Sequence, residues 1–188
     1  MKVNANTLRS GNVIDYNGKL WVVVKNEIQT PGKGAAVAQV EMRDLRTGSK
    51  DNVRFRTQET IERVRLEQDE YQYLYDEGET AAFMHTTTFE QISITKELMG
   101  SPAAYLQEGM IVEIEKYENE PLSVRLPDSV VMEVVECEPV VKGQTATTSY
   151  KPGILENGVK VMIPPHIDAG TRVVVKTEDG SYVERAKD

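Results

Sequence analysis

The chain has few of the residues that build disulfide frameworks, metal sites and nucleophilic active sites. It contains one cysteine, Cys137, and two histidines, His85 and His166. A single cysteine excludes an intrachain disulfide, which favours a reducing compartment. Neither histidine has a second histidine or a cysteine at a ligand spacing, so we expect no metal and no bound cofactor. No serine, histidine and aspartate arrangement can be assembled either, so the sequence does not predict an enzyme.

Long hydrophobic runs are also missing. No apolar stretch approaches the roughly 20 residues that a membrane-spanning helix needs. Residues 1–6 lack the apolar core of a signal peptide. We therefore expect a cytoplasmic protein that does not associate with a membrane.

What the chain does contain is a series of short alternating segments separated by turn residues. Apolar and polar side chains alternate with a period of two, which is typical of half-buried strands. Asparagine or aspartate followed by glycine is a strong hairpin signal. The turn pairs are Asn17-Gly18, Asn157-Gly158 and Asp179-Gly180. The pattern predicts an all-β fold, and closure of such short strands into small barrels would remove exposed sheet edges.

Two short helices are predicted in the middle third of the chain. Thr87 and Glu90 have the spacing of a capping box ahead of an apolar series that ends at Leu98. Ser101 followed by Pro102 has the form of a second helix start, with proline at the first helical position.

Charge is distributed unevenly along the chain, whose formal net charge is −8. Residues 1–65 carry 12 basic and 7 acidic side chains, a net +5. Residues 66–128 carry 3 against 14, a net −11, and residues 129–188 carry 7 against 9, a net −2. A basic first segment is suited to nucleic-acid phosphates, whereas an acidic middle segment would avoid them. These changes, with the turns, suggest three β modules of about 60 residues.

Lys33 lies between two glycines in the segment Pro31-Gly32-Lys33-Gly34. A β-branched and aromatic run precedes this segment, and residues 38–43 alternate after it, so the two runs are predicted to pair as a hairpin arm. Glycine and proline allow a sharp turn that leaves Lys33 without bulky neighbours. A phosphate-binding loop is excluded because Gly34 stands where that motif needs serine or threonine.

The order and spacing of several motifs along the whole chain resemble bacterial translation elongation factor P. Besides the Lys33 segment, the resemblance rests on Tyr71-x-Tyr73-Leu74-Tyr75, on Lys151-Pro152-Gly153, and on the tail Gly180-x-Tyr182-x-x-Arg185. The resemblance implies three small β-barrels in an L-shaped arrangement like that of tRNA. Residues 1–65 would form an SH3-like or KOW-like domain, and residues 66–128 and 129–188 would form two OB-folds.

The function that the resemblance implies is to bind a 70S ribosome stalled at consecutive prolines, beside the P-site peptidyl-tRNA, and to stimulate peptide-bond formation. Lys33 would carry a post-translational extension such as a β-lysyl group, added by a modifying enzyme. Tyr182 and Arg185 would contact the small ribosomal subunit, although they could instead close the last barrel as a strand-end pair. The protein would act as a monomer.

A third site implied by the resemblance is the loop Gly143-Gln144-Thr145, which would lie near mRNA in the E site. The sequence departs from the family there, because the common family form has aspartate where Gln144 stands. Two alternatives to a polyproline factor stay open: a general single-stranded RNA-binding OB-fold protein, and a divergent elongation factor P-like paralogue. The low aromatic content of 6% disfavours the first, since such proteins stack bases on exposed aromatic side chains.

Overall fold

The structure is a computed structural model, and it describes residues 1–140 and 149–187. Three β-sheets contain nearly all of its regular structure, which confirms the predicted all-β fold. In the described ranges, no helix has the length and apolarity required to traverse a membrane.

The first sheet has six strands in the order β1-β6-β2-β3-β4-β5. The strands are β1 (Lys2–Asn4), β2 (Val13–Tyr16), β3 (Lys19–Gln29), β4 (Val37–Asp44), β5 (Lys50–Arg56) and β6 (Thr60–Val64). A 3-10 turn, Ala5–Thr7, follows β1. The inner face of β4 carries the fully buried Ala38, Val40 and Met42, which pack with Phe55 of β5. This alternation is the one that the sequence predicted.

The second sheet has five strands in the order β11-β10-β7-β8-β9. The strands are β7 (Glu67–Glu77), β8 (Thr80–His85), β9 (Gln91–Thr95), β10 (Ile111–Tyr117) and β11 (Glu120–Arg125). A short helix α1 (Lys96–Met99) and a 3-10 helix (Ser101–Tyr105) lie between β9 and β10.

The helix predicted from Thr87 to Leu98 is wrong over most of its length. Thr87 lies in the loop between β8 and β9, and residues 91–95 form a strand paired with β8. The cause is the β-branched pair Ile92 and Ile94, whose spacing of two suits a pleated strand better than a helix. The second prediction is partly right, because Ser101–Tyr105 forms a 3-10 helix with proline in its first turn.

The third sheet also has five strands, in the order β14-β13-β12-β15-β16. The strands are β12 (Ser129–Cys137), β13 (Lys151–Leu155), β14 (Lys160–Ile163), β15 (Arg172–Lys176) and β16 (Tyr182–Arg185).

The chain divides into two compact units. The first comprises residues 1–67 and 115–122, and the second comprises residues 68–114 and 123–188. Within the second unit, side chains from the second and third sheets form one continuous core that includes Phe83, Ile114, Val134 and Leu155. A shared core of this kind joins two sheets that the sequence presents as separate modules.

Candidate functional site

The Lys33 segment lies at the end of a long hairpin arm, as the sequence predicted. Strands β3 and β4 pair antiparallel from Trp21 and Asp44 to the last pair, Gln29 and Val37. Residues 30–36 connect the two strands. The outer part of β3 is solvent-exposed, and its Ile28 side chain is 49% exposed.

Lys33 itself is exposed, and among the described residues no hydrogen bond or ion pair involves it. Gly34 has a φ of 151°, a conformation that L side chains rarely adopt, so this position requires glycine. Gly32 has no such φ, and a Cβ added there would meet nothing within 4 Å. The backbone therefore needs glycine at position 34, whereas position 32 has room for a larger side chain.

The base of the arm is fixed by Asn26, which the sequence analysis missed. The pairing of β3 with β4 shifts register between Val23 and Lys25, as in a β-bulge. Beyond the shift, the Asn26 Nδ2 amide donates to the carbonyl oxygens of Ala5 and Leu8, both at 3.0 Å. The Asn26 Oδ1 atom is buried and has no hydrogen-bond partner in the described part of the chain. No local pattern could have identified this residue, because its partners lie 18 and 21 residues away.

The outer face of the first sheet, opposite the buried residues of β4, is basic. Directly paired residues share a face of the sheet. The outward pairs that line this face are Val37 with Arg56, Gln39 with Arg54, Glu41 with Asn52, and Arg43 with Lys50. The cationic side chains at these positions are exposed. We call these four side chains the basic outer face: Arg43, Lys50, Arg54 and Arg56.

On the neighbouring strand β3, Lys25 and Glu27 form an ion pair at 2.6 Å. The hydrogen bond to Glu27 raises the pKa of Lys25 above its ordinary value, so this amine is charged at neutral pH. The net +5 of residues 1–65 indicated such a surface, but the sequence alone did not identify Arg54 and Arg56 as its members nearest the tip end of the arm.

The tail residues Tyr182 and Arg185 lie on β16, an edge strand of the third sheet. Tyr182 packs against the core of the second unit and meets the ring of Tyr150 edge-on, with the ring centroids 6.3 Å apart. Burial raises the pKa of Tyr182 above its ordinary value, and the neighbouring Tyr150 and Glu184 act in the same direction. Arg185 is exposed. Tyr182 therefore has a packing role that Arg185 does not share.

Other residues singled out from the sequence have simpler surroundings. The loop Gly143-Gln144-Thr145 lies outside the described residues. His85 Nδ1 accepts hydrogen bonds from the backbone N–H groups of Thr87 and Thr88 in the turn between β8 and β9. In residues 1–140 and 149–187, no group of three His, Cys, Asp or Glu side chains is arranged to hold a metal.

Comparison with known families gives three matches that follow one another along the chain. Residues 4–61 match the elongation factor P KOW-like domain. Residues 66–124 match the elongation factor P OB domain. Residues 130–185 match the family model described as elongation factor P, C-terminal.

Two relatives match this chain over nearly its whole length. Elongation factor P of Rhodospirillum centenum is 54% identical over 188 residues, covering 100% of both chains. Elongation factor P of Brucella canis is 51% identical over 186 residues, covering 99% of this chain and 100% of the relative.

Among solved structures, the fold is similar to that of eukaryotic translation initiation factor 5A from Methanococcus jannaschii. The TM-score is 0.56 at 20% identity, over 68% of this chain and 92% of the other. An initiation factor 5A family protein from Naegleria fowleri gives a TM-score of 0.54 at 17% identity, over 67% of this chain and 98% of the other. These likenesses concern the fold alone.

Proposed function

Because the chain belongs to the elongation factor P family of translation factors, we propose that it binds the 70S ribosome beside the P-site peptidyl-tRNA and stimulates peptide-bond formation at consecutive prolines. The observation that carries this proposal is the exposed amine of Lys33 at the end of the β3–β4 arm, where it has no hydrogen-bond or ion-pair partner among the described residues. A cation held in this way can enter a narrow space lined by nucleic acid.

The chemistry that needs help at a proline run is the alignment of two reacting groups. Proline's secondary amine is a poor nucleophile, and a polyproline nascent chain is stiff. Holding the end of the peptidyl-tRNA near its attack geometry removes an orientational cost from the barrier without any covalent step by the factor. Lys33 would supply this contact by donating hydrogen bonds to the backbone of the tRNA's CCA end. The protein is thus proposed as a positioning factor for a reaction catalysed by the ribosome.

The basic outer face supports tRNA as the neighbour of the first unit. Arg54 and Arg56 are exposed on the strand beside the arm. Arginine presents a planar fork of donors that matches phosphate oxygens. Each phosphate contact would add affinity that falls as salt rises.

We further propose that Lys33 carries a covalent extension of the β-lysyl type, added by a lysine-modifying enzyme. The open space beside Gly32 gives an enzyme access to the amine. An added aminoacyl group would lengthen the arm and supply a second amine for hydrogen bonding.

The tail and residues 143–145 complete the proposed ribosome contacts. Exposed Arg185 is suited to a phosphate of the small subunit, and Tyr182 would position the strand that presents it. Gly143, Gln144 and Thr145 are proposed to lie near mRNA, where the Gln144 amide can both donate to and accept from a base edge.

The proposal is tested by in vitro translation of a reporter with three consecutive prolines. Wild type is expected to restore full-length product, Lys33→Ala to lose this activity, and Arg185→Ala to retain part of it. Lys160→Ala, which removes an exposed lysine from the third sheet, is the matched control and should behave as wild type. Equal rescue by wild type and Lys33→Ala would refute the site. Intact mass of wild type and Lys33→Ala, purified from the native host, tests the modification, since an added mass must disappear with Lys33.

A further inference from the structure

The loop between β8 and β9 presents an aromatic side chain in a backbone conformation that disfavours it. Phe89 has a φ of 62°, in the left-handed region, and its side chain is 66% exposed. Hairpin loops that need this conformation normally place glycine or asparagine there. Of the four described non-glycine residues with positive φ, two are asparagines, Asn17 and Asn119.

The loop holds this conformation through its own hydrogen bonds. The Phe89 N–H donates to the carbonyl of His85 at 3.0 Å, and the His85 N–H donates to the carbonyl of Glu90 at 2.8 Å. The backbone N–H groups of Thr87 and Thr88 both donate to His85 Nδ1 at 3.0 Å. None of these bonds uses the Phe89 ring. These hydrogen bonds do not need the side chain, which is mostly exposed in a strained backbone conformation, and this combination points to a role in binding.

The segment that contains Phe89 is acidic. Glu90 is its exposed neighbour, and the carbonyl of Glu70, also exposed, accepts a hydrogen bond from the Thr86 hydroxyl at 3.3 Å. Residues 66–95 contain no lysine or arginine. They contain seven carboxylates, Glu67, Asp69, Glu70, Asp76, Glu77, Glu79 and Glu90.

We infer that Phe89, next to Glu90 in an acidic segment without lysine or arginine, is a docking residue for a lysine- and arginine-rich protein surface. The carboxylates would repel nucleic-acid phosphates and attract cations. The exposed ring offers apolar area and a π face for a partner cation. This inference rests on the proposed function, in which the protein binds the ribosome. The partner surface is therefore that of a basic ribosomal protein.

Two substitutions at the same position separate binding from folding. Phe89→Gly removes the ring and relieves the backbone strain, so the unfolding temperature should stay unchanged or rise by up to about 4 °C. The dissociation constant for purified 70S ribosomes should rise at least about tenfold, as for an aromatic anchor in an interface. Phe89→Tyr should retain wild-type affinity. Tyr75→Ser, which removes another exposed aromatic of the same sheet, is the control and should bind as wild type.

The class of partner is tested by charge reversal and by cross-linking. Glu90→Lys should weaken ribosome binding if the partner is basic, and it should tighten binding if the partner is RNA. A photoreactive phenylalanine analogue at position 89 should cross-link to a ribosomal protein. A lowered unfolding temperature or unchanged affinity of Phe89→Gly, tighter binding of Glu90→Lys, or a cross-link to ribosomal RNA would each overturn the inference. Wild-type protein that fails to bind ribosomes would instead overturn the proposed function, and the inference with it.

Discussion

The side-chain amide of Asn26 donates a hydrogen bond to the carbonyl oxygen of Ala5 at 3.0 Å, and this bond fastens the base of the Lys33 arm to the 3-10 turn after β1. The same amide donates to Leu8. The exposed outer part of the arm therefore begins at a point held by two hydrogen bonds, which limits how far the tip can move.

Asn26→Ala is expected to loosen the arm. Losing both donors should lower the free energy of unfolding of the first unit by about 1–3 kcal/mol, and polyproline rescue should fall with it. Trp21, the single tryptophan, is 7% exposed within this unit, so its fluorescence during urea unfolding gives the measurement. Asn52→Ala, on an exposed position of β5, should change stability by less than about 0.5 kcal/mol. Equal urea-unfolding midpoints for Asn26→Ala and Asn52→Ala would contradict the proposed role of Asn26 in anchoring the arm.

The two glycines beside Lys33 are expected to differ in their tolerance of alanine. Gly34 has a φ of 151°, so Gly34→Ala should strain the loop by about 1–3 kcal/mol and reduce rescue of the three-proline reporter. Gly32→Ala places its Cβ in open space at an ordinary φ and should keep near wild-type rescue. The reverse order of activities would show that space beside the lysine matters more than the turn.

Asp44 is expected to make the stability of the first unit depend on pH. Its side chain is 4% exposed and its Oδ1 accepts from the backbone N–H of Arg46 at 2.8 Å and of Thr47 at 3.2 Å. Burial by itself would raise the pKa of Asp44, but these hydrogen bonds and Lys19 bring it below the ordinary value of 3.8. The carboxylate therefore stabilises the folded state above pH 3.8, and this contribution is lost as the pH falls through the lowered folded pKa.

Asp44→Asn should therefore lower the free energy of unfolding of the first unit by about 1–2 kcal/mol at pH 7. This difference from wild type should shrink in acid. Trp21 fluorescence in urea at a series of pH values from neutral to acid measures both effects. Asp51→Asn, on an exposed position of β5, serves as control and should follow wild type at every pH. A deficit for Asp44→Asn that stays constant into acid would mean that charge is not its cause.

The Gly180→Ala variant is expected to disturb the packing between the second and third sheets. A Cβ at Gly180 would lie within van der Waals overlap of the Tyr105 hydroxyl, and Gly180 also has a φ of 73°. Gly180→Ala should lower the free energy of unfolding by about 1–3 kcal/mol through overpacking, in addition to the effect of its backbone strain. Gly170→Ala is the matched control, because Gly170 has a φ of 92° but no neighbour within 4 Å of the added Cβ.

Thermal unfolding followed by far-UV circular dichroism measures the two glycine variants. Because the two sheets share one core, we expect Gly180→Ala to lower the unfolding temperature of the whole second unit in a single transition. Separate transitions for the two sheets would contradict this cooperativity. Equal effects of Gly180→Ala and Gly170→Ala would show that Tyr105 moves aside without cost.

Local alternation predicted the Lys33 arm well and the middle third poorly. In β4 the apolar residues Ala38, Val40 and Met42 alternate with polar ones, and strand pairing with β3 and β5 agrees with that period. Around Thr87, a capping-box spacing competed with the alternation of Ile92 and Ile94. Pairing with β8 decided in favour of a strand, because tertiary contacts override a weak local preference.

The sequence by itself determined the strand alternation, the exposed lysine between two glycines, and the charge of each segment, since all three depend on residues near one another in the chain. Only the tertiary structure decided that Asn26 holds the arm, that Arg54 and Arg56 share a face beside it, and that Phe89 stands exposed in a left-handed conformation. The physical reason is that hydrogen-bond partners, sheet register and backbone dihedrals arise from long-range packing, which no local pattern encodes.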